Sequence, residues 1–291
     1  MKNLKSLVRI FLFIILVALL SVFSLAMSTC KSGSYSFLVV GIDKAAKNSD
    51  VLFIVNVDQT SDKISVLHIP RDTIVNYQGK NVKINSILSR LISKGVSERE
   101  SLLKLRSYLD DATGIGIDAS LSLNEESFIE IIDSVGGVDI DSDRALLINK
   151  SGGEVLHIQK GINHLSGSDA FLFVRHRKSY PDADLGRIHA QRTLLSALLK
   201  KIHTLNRGEK ARLIKTVTKE AVIDIPLQTI LSIQQIMNLS DINDVAFYNF
   251  PGKSVYHEKN WFYQINVNET NELFSKIGID GKVNVSYFPE L

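Results

Sequence analysis

The chain has 291 residues, of which 45% are hydrophobic and 22% are charged, with five prolines. This composition is ordinary for a globular protein and excludes an intrinsically disordered or low-complexity chain. Three of the 34 lysines and arginines lie before residue 10, where there is no acidic residue, so residues 31–291 carry 31 charges of each sign. That neutrality argues against nucleic-acid binding, which requires an excess of positive charge to neutralise phosphates.

The first element is an apolar segment at residues 10–27, which contains no charged side chain. A helix of this length, at about 1.5 Å per residue, crosses most of a hydrocarbon core roughly 30 Å thick. The basic residues before it predict a cytoplasmic N-terminus and an extracellular C-terminal part. We therefore predict a cytoplasmic flank at 1–9, a single transmembrane anchor at 10–27 and a linker at 28–36. A cleaved signal peptide is the alternative, and Cys30 hints at lipid attachment.

Near-continuous runs of β-branched and aromatic residues follow the linker at 37–42, 51–57 and 63–69. Such runs are typical of strands that are buried on both faces of a sheet. The third run ends at Pro70, which cannot donate a hydrogen bond to a neighbouring strand. Further strands are predicted at 117–123, 138–140, 245–250 and 261–267.

Helix signals lie between these strands. Ser97 and Glu100 form a capping-box pattern, which predicts a helix at about 98–111. Asn124 is a favourable N-cap for a second helix, which stops at a glycine pair. Further helices are predicted at 184–205, 208–220, 226–239 and 268–277, and a polar connection is predicted at 142–166. The alternation of strands and helices indicates an α/β fold, a three-layer α-β-α arrangement with a central mixed β-sheet, in one domain at 37–291.

Residues 175–192 carry five basic side chains and two aspartates directly before an apolar stretch. On a helix, Asp184, Arg187 and Gln191 share the face of the leucines that follow them. A charged side chain on an apolar face is costly unless a partner satisfies it, which favours a ligand site. The alternative is an ion pair between Asp184 and Arg187, three residues apart and outside the core.

Arg175 and Arg177 are two residues apart, so an extended backbone would direct both side chains to the same side. Guanidinium groups in such positions can bind phosphate oxygens through two parallel hydrogen bonds. His176 would point away, and we interpret it as structural. The segment therefore predicts an anion-binding site that uses both arginines.

Polar residues also lie where the predicted strands end. Arg71 and Asp72 follow the third strand, and Asp43 and Asp50 lie at the facing ends of the first two. Ligands bind at strand ends in α/β sheets, and a pair of carboxylates suits a hard cation such as Mg²⁺. The alternative for Asp43 is an ordinary turn residue.

In this order, the fragments resemble the LytR-CpsA-Psr family of cell-wall glycopolymer ligases. The matching elements are FLVVGID, NSD, VLFIVNV, ISVLHIPRD, VKIN, IIDSVGGVDID, LSGSDAFLFVRHR and DADLGRIHAQR, which cover residues 37 to about 200. The resemblance implies a Mg²⁺-dependent phosphotransferase on the outer membrane face of a Gram-positive-type bacterium. It would transfer a phosphorylated glycopolymer, such as a capsular polysaccharide or a teichoic acid, from undecaprenyl pyrophosphate to a peptidoglycan hydroxyl.

The resemblance also implies roles for individual residues. Asp43 and Asp50 would hold Mg²⁺. Asp184 would be the base for the incoming sugar hydroxyl, with Arg71 and Arg175 as its catalytic partners. The pyrophosphate would be bound by Arg71, Arg175, Arg177, Arg187 and Gln191.

Three positions depart from the family's pattern. Asn48 precedes the SD pair and Ala190 lies near the start of the long helix, where the family usually has arginine. LSRLISKG at 88–95 replaces paired glycines. These departures keep two alternatives open: a polyprenyl-pyrophosphate phosphatase, and a non-catalytic scaffold at the wall that binds lipid phosphate. A transcription regulator is rejected because the anchor would export the domain and the exported part is electrically neutral.

Overall fold

The computed structural model describes residues 34–42, 48–58, 61, 63–150, 152–176, 190, 193–194, 197–198, 200–202, 204–224 and 245–291. The predicted anchor at 10–27 and the predicted helix at 226–239 therefore lie outside the described residues. Within the described ranges, no helix is both long and apolar enough to cross a membrane.

Contacts divide the chain into two compact units. The described residues of the helical unit lie within 123–221, and those of the sheet unit lie within 34–122 and 222–291. The main segment of the helical unit is thus inserted in sequence between the two segments of the sheet unit. The single domain at 37–291 stays a prediction.

The described strands occur mostly in runs that helices separate. The strands are β1 Ser34–Ile42, β2 Ser49–Asp58, β3 Lys63–Ile69, β4 Ile74–Tyr77, β5 Lys80–Lys83, β6 Ile117–Leu123, β7 Val138–Ser142, β8 Leu146–Asn149, β9 Val155–Ile158, β10 Gly161–Leu165, β11 Val222–Asp224, β12 Val245–Asn249, β13 Gly252–His257 and β14 Asn260–Ile265. The helices are α1 Ser86–Ser93, α2 Glu98–Thr113, α3 Glu125–Ser134, α4 Gly167–Arg175, α5 Arg207–Glu220 and α6 Val267–Ile277, and a short 3-10 helix spans Val285–Tyr287.

A six-stranded sheet in the order β11-β6-β1-β2-β3-β12 forms the centre of the sheet unit. Strands β1, β2 and β3 are antiparallel neighbours, whereas β12 runs parallel to β3. The sheet is therefore mixed, and the predicted α/β class with a central mixed sheet is confirmed.

The core of the sheet unit comes from the long apolar runs that the sequence marks as strands. Leu38, Leu52 and Leu67 on β1, β2 and β3 are fully buried, and α2 adds Leu105 and Leu109 to the same cluster. Burying a leucine side chain stabilises the fold by roughly 1.5–3 kcal/mol, so these three strands and one helix supply much of the driving force.

The predicted helix caps are present. Ser97 Oγ accepts a hydrogen bond from the Glu100 N–H at 3.2 Å, and Asn124 Oδ1 accepts one from the Ser127 N–H at 3.0 Å. Helix α2 ends at Thr113, two residues beyond its predicted boundary. Its C-cap is Gly114, whose φ of 64° is a conformation that glycine adopts without strain.

Two connections predicted from the sequence are wrong in part. Residues 34–36 belong to β1 rather than to the predicted linker at 28–36. Ser36 is buried there, and its polar groups have hydrogen-bond partners. Its N–H donates to Asp118 Oδ2 at 2.8 Å, and its Oγ accepts from Asn56 Nδ2 at 3.0 Å. The segment at 142–166 contains β8, β9 and β10 instead of an irregular connection. Strands of four or five residues are too short to show a clear alternation in sequence.

Two motifs of the sequence meet where α3 approaches α4 in the helical unit. Asp133 Oδ1 accepts a hydrogen bond from the Gly167 N–H at 2.7 Å, at the first residue of α4. A Cβ atom at Gly167 would lie only 2.3 Å from the carbonyl oxygen of Ile129 on α3. The glycine therefore permits this close approach of the two helices.

We expect Gly167→Ala to lower the free energy of unfolding by at least about 2 kcal/mol, because backbone atoms of α3 would have to move. Chemical denaturation followed by circular dichroism measures this change. Ser168→Ala, at the exposed next position, is the matched control and should change stability by less than about 0.5 kcal/mol. Equal stability of the Gly167→Ala variant and the wild-type protein would contradict the close-approach argument.

Candidate functional site

The ends of β1 and β2 meet at an irregularity in their ladder. Gly41 pairs with Val51, but the next residue, Ile42, pairs with Ser49. Asp50 is thereby left as the extra residue of a β-bulge, directly opposite the end of β1. Bulges re-aim a side chain and are frequent beside active sites. Asp43, the other predicted metal ligand, follows Ile42 in sequence and lies outside the described residues.

The backbone of Asn85, the last residue of the VKIN motif, joins two segments of the candidate site. Its N–H donates to the carbonyl oxygen of Arg71 at 3.2 Å, and its carbonyl oxygen accepts from the Ser49 N–H at 3.0 Å. Ser49 Oγ donates to the same carbonyl at 3.3 Å, and Ser49 is fully buried. The loop that carries Arg71 and the start of the strand that carries Asp50 are therefore fixed to opposite sides of one residue.

Asn48, one of the departures from the family's pattern, has a partner in helix α1. Its Oδ1 accepts a hydrogen bond from Ser89 Oγ at 2.7 Å. Ser89 belongs to the LSRLISKG segment, which is the second departure. Two departures in sequence thus form one contact in space, two residues before Asp50.

The loop after β3 carries a carboxylate, Asp72, that contacts two basic side chains. Lys83 Nζ donates to Asp72 Oδ1 at 2.8 Å, and Arg71 Nε lies 3.7 Å from Asp72 Oδ2. Lys83 Nζ also lies 5.4 Å from the centre of the Phe262 ring, within cation–π distance. Sequence reasoning missed Lys83, although the VKIN motif contains it. Asp72 on this loop is thus flanked by two cations, Arg71 on the loop and Lys83 at the end of β5, and cations in such a place suit an anionic ligand.

The loop is also fixed from strand β14. The Tyr263 N–H donates to the carbonyl oxygen of Asp72 at 2.8 Å, and Thr73 forms a parallel bridge with Tyr263. The Tyr263 hydroxyl donates to the carbonyl oxygen of Phe250 at 2.8 Å. Burial raises the pKa of Tyr263, and the negative charge of Glu269 raises it further; both effects favour the protonated hydroxyl that donates this bond.

Arg175 is the last residue of helix α4, so it does not have the extended backbone that would direct its side chain and that of Arg177 to the same side. Ala170, Phe173 and Val174 are buried at helical spacing, and this burial favours a helix over a strand. His176 is the first extended residue, with φ of −67° and ψ of 128°. The predicted site residues Arg177, Asp184, Arg187 and Gln191 lie outside the described residues.

The described residues of the predicted long helix at 184–205 are helical between 190 and 204. Ala190, Leu194 and Leu198 follow one another at four-residue spacing and are fully buried. Position 190 therefore faces the interior, where an arginine would need a partner to compensate for its burial.

The residues predicted to hold Mg²⁺, Asp43 and Asp50, offer carboxylate oxygens. Mg²⁺ takes oxygen ligands of this kind and retains several waters and substrate phosphates. The bulge at Asp50 brings that residue to the end of β1 from which Asp43 follows. In the described part of the chain, no group of three or more His, Cys, Asp or Glu residues is arranged to hold a metal ion.

Comparison with known proteins agrees with this layout. The model of the LytR_cpsA_psr family matches residues 21–278. The polyisoprenyl-teichoic acid–peptidoglycan teichoic acid transferase TagU of Bacillus mycoides is 32% identical over 174 residues, which is 59% of this chain and 53% of TagU. The corresponding transferase TagV of Bacillus subtilis is 28% identical over 251 residues, covering 83% of this chain and 62% of TagV.

The chain thus spans between half and two thirds of the length of these relatives. The crystal structure of B. subtilis TagV superimposes with a TM-score of 0.62 and 23% identity, covering 85% of this chain and 97% of that one. The superposition supports the mixed α/β fold.

Proposed function

Because the chain belongs to the LytR-CpsA-Psr family, we propose that it transfers a phosphorylated glycopolymer from undecaprenyl pyrophosphate to a hydroxyl of peptidoglycan. The names of the TagU and TagV relatives support this substrate pair. The structural observation that carries the proposal is the position of Asn85, whose backbone holds the Arg71 loop against the strand that begins at Ser49.

The proposed reaction is a phosphoryl transfer from a charged pyrophosphate. A sugar hydroxyl oxygen of peptidoglycan forms a bond to the phosphorus nearest the polymer, and the bond from that phosphorus to the polyprenyl phosphate breaks. Asp184 takes the hydroxyl proton. Phosphoryl transfer depends mainly on positioning and charge neutralisation, so the remaining groups act as an electrostatic clamp on the phosphates. The proposed clamp is Arg71, Arg175, Arg177, Arg187 and Gln191, of which Arg71 and Arg175 are also proposed catalytic residues.

A bound Mg²⁺ would neutralise charge on the phosphate oxygens, and Asp43 and Asp50 would hold it. The bulge at Asp50 supports this role, since it places an unpaired position of β2 at the end of β1. The anchor at 10–27 would keep the protein on the outer face of the cytoplasmic membrane, beside its lipid-linked substrate. Around the mixed sheet we propose the three-layer α-β-α arrangement.

A non-catalytic scaffold that binds lipid phosphate is the second candidate function. It is favoured by Ala190, which is buried where the family usually has arginine and so removes one cation from the proposed clamp. A phosphatase, in which water replaces the sugar hydroxyl, is the remaining alternative.

An assay with the full-length protein in mild detergent separates the three functions. Given Mg²⁺, a lipid-pyrophosphate-linked glycan and peptidoglycan, the transferase yields peptidoglycan that carries the glycan through a phosphodiester. A phosphatase releases phosphate without peptidoglycan product, and a scaffold retains the lipid, detectable by mass spectrometry, without turnover. Transfer dependent on peptidoglycan is the expected result.

The contact between Asn48 and Ser89 provides a finer test of the metal assignment. Ser89→Ala removes the hydroxyl that holds Asn48 two residues before Asp50. The loss of one hydrogen bond of about 1 kcal/mol should raise the Mg²⁺ concentration for half-maximal transfer about fivefold. Ser93→Ala, on the exposed face of the same helix, is the control and should leave the Mg²⁺ dependence unchanged. An unchanged Mg²⁺ dependence in Ser89→Ala would show that Asn48 does not position the metal site.

A further inference from the structure

A hairpin formed by β13 and β14 carries an aromatic pair that the proposed reaction does not use. The two strands are antiparallel, and Glu258 and Lys259 form the turn with φ of 46° and 63°. Left-handed residues at both central positions are typical of the tight turns whose twist matches a hairpin. The hairpin is therefore a regular structure that presents its side chains in fixed directions.

Tyr256 and Trp261 face each other across the hairpin, with ring centroids 5.1 Å apart and ring planes at 53°. The two residues are 59% and 62% exposed. A cross-strand aromatic pair stabilises a hairpin, which explains why the rings touch. It does not explain why so much aromatic surface stays in water, and exposed apolar surface of this kind often marks a binding site.

The aromatic pair lies on the same hairpin as a residue that is bonded to the loop that carries Arg71. The Tyr263 N–H is bonded to the carbonyl oxygen of Asp72 at 2.8 Å. Trp261 is two residues from Tyr263 along β14, which is roughly 7 Å in an extended strand. Lys83, which binds Asp72, also contacts the Phe262 ring, on the face of the hairpin opposite to Trp261. A linear polymer bound on the aromatic pair would therefore approach the candidate phosphate site.

The chemistry of the hairpin favours an uncharged sugar chain as the occupant. Sugar C–H bonds carry partial positive charge and stack on the electron-rich faces of aromatic rings, and Trp and Tyr offer such faces at a small cost in conformational entropy. The hairpin carries Lys253 and Lys259 against one acid, Glu258, which is a weak charge for binding a polymer of repeating phosphates.

A membrane is disfavoured by the order of residues at the turn. The tip of the hairpin, beyond the aromatic pair, is formed by His257, Glu258, Lys259 and Asn260, and all four are exposed. Inserting the hairpin into a bilayer would take these polar groups into the apolar region first, at a high cost in desolvation.

We propose that Tyr256 and Trp261 form a stacking platform for a sugar ring of the peptidoglycan glycan strand, the acceptor of the reaction. The identity of this glycan rests on the proposed function. Stacking itself can be measured without any turnover, so the two proposals can fail separately.

Trp261 is the only tryptophan in the chain, so intrinsic tryptophan fluorescence reports on the hairpin alone. The probes are soluble N-acetylglucosamine oligomers and glycan strands released from peptidoglycan, added to the full-length protein in mild detergent. A saturable change in emission is expected. Tyr256→Ala should weaken binding at least about fivefold, whereas Leu147→Ala, which removes a comparably exposed side chain from strand β8, should not. No change in emission at millimolar glycan would overturn the proposal.

Two further arms test the other occupants. Poly(glycerol phosphate) represents the charged donor polymer, and nanodiscs with brominated lipids quench tryptophan that lies in a membrane. Tighter binding of the phosphate polymer than of the glycan, or strong quenching by the brominated lipids, would contradict the acceptor assignment.

Kinetics distinguish a binding role from a structural one. Trp261→Ala should raise the KM for peptidoglycan about tenfold, as expected when one stacked aromatic contact is lost, while kcat and the KM for the lipid-linked donor stay unchanged. Trp261→Tyr retains an aromatic face and should recover most of the affinity. A fall in kcat with an unchanged acceptor KM would overturn the proposal. Should no transfer be detected at all, the emission titration decides the question.

Discussion

Asp50→Ala is expected to lower the rate of glycopolymer transfer by about a hundredfold to a thousandfold. The variant removes one of the two carboxylates proposed to hold Mg²⁺, and with it much of the charge neutralisation at the pyrophosphate. The fold should persist, because Asp50 occupies a bulge with no residue paired opposite it and the buried side chains of β2 are untouched. Initial rates of transfer at several Mg²⁺ concentrations measure the effect.

Asp58→Ala is the matched control for this variant. It removes a carboxylate at the opposite end of the same strand, where Asp58 Oδ2 accepts from Ser61 Oγ at 2.6 Å. Its transfer rate should stay near that of the wild-type protein. Arg175→Ala should resemble Asp50→Ala, since it removes a cation proposed to contact the reacting phosphate. Undiminished turnover in either Asp50→Ala or Arg175→Ala would remove that residue from the site.

Arg106→Ala is expected to lower the free energy of unfolding by about 3–5 kcal/mol. Arg106 Nη2 lies 2.9 Å from Asp224 Oδ2, and the two side chains are only 15% and 14% exposed. Arg106 Nη1 also donates to the carbonyl oxygens of Ile117 and Asp118 at 3.1 and 2.8 Å. Truncating the arginine leaves a carboxylate and two carbonyl groups without these partners in a poorly hydrated place.

Chemical denaturation of Arg106→Ala, Asp224→Leu and the double variant Arg106→Leu/Asp224→Leu measures this effect. The double variant should be more stable than Arg106→Ala, because no isolated buried charge remains. Arg99→Ala, at an exposed position of the same helix, should change stability by less than about 0.5 kcal/mol. A loss below about 1 kcal/mol in Arg106→Ala would show that solvent reaches this ion pair and satisfies Asp224.

The central strands could be predicted from the sequence because their signals are local and strong. Strands β1, β2 and β3 are long β-branched runs that remain apolar on both faces, and the caps at Ser97 and Asn124 act within three residues. The hairpin of β8 and β9 could not be predicted, because its strands are short and its stability comes from pairing between them.

The same distinction applies to the candidate site. The motifs identify Asp50 and Arg71 as residue types suited to bind a metal and a phosphate. The bulge at Asp50 and the bridging backbone of Asn85 depend on the register of distant segments, which no local pattern encodes. Arg175 is helical because the apolar side chains of α4 are buried at helical spacing. The charged residues that follow Arg175 carry no sign of this helix.

The departures from the family's pattern also acquire a physical meaning only in three dimensions. Asn48 and Ser89 are 41 residues apart in sequence, yet they form one hydrogen bond. Ala190 is buried on the same helix face as Leu194 and Leu198, where a small side chain fits a close-packed interior. Neither feature by itself requires an inactive protein, and both leave Arg71 and the bulge at Asp50 in place.

The most direct test of the proposed transfer follows a labelled phosphate. The full-length protein in detergent receives Mg²⁺, peptidoglycan and a lipid-pyrophosphate-linked glycan labelled at the phosphate next to the sugar. The proposed function predicts that the label appears in peptidoglycan as a phosphodiester while polyprenyl monophosphate is released in equal amount. Label released as free phosphate or as a soluble sugar phosphate, or bound lipid without any turnover, would contradict it.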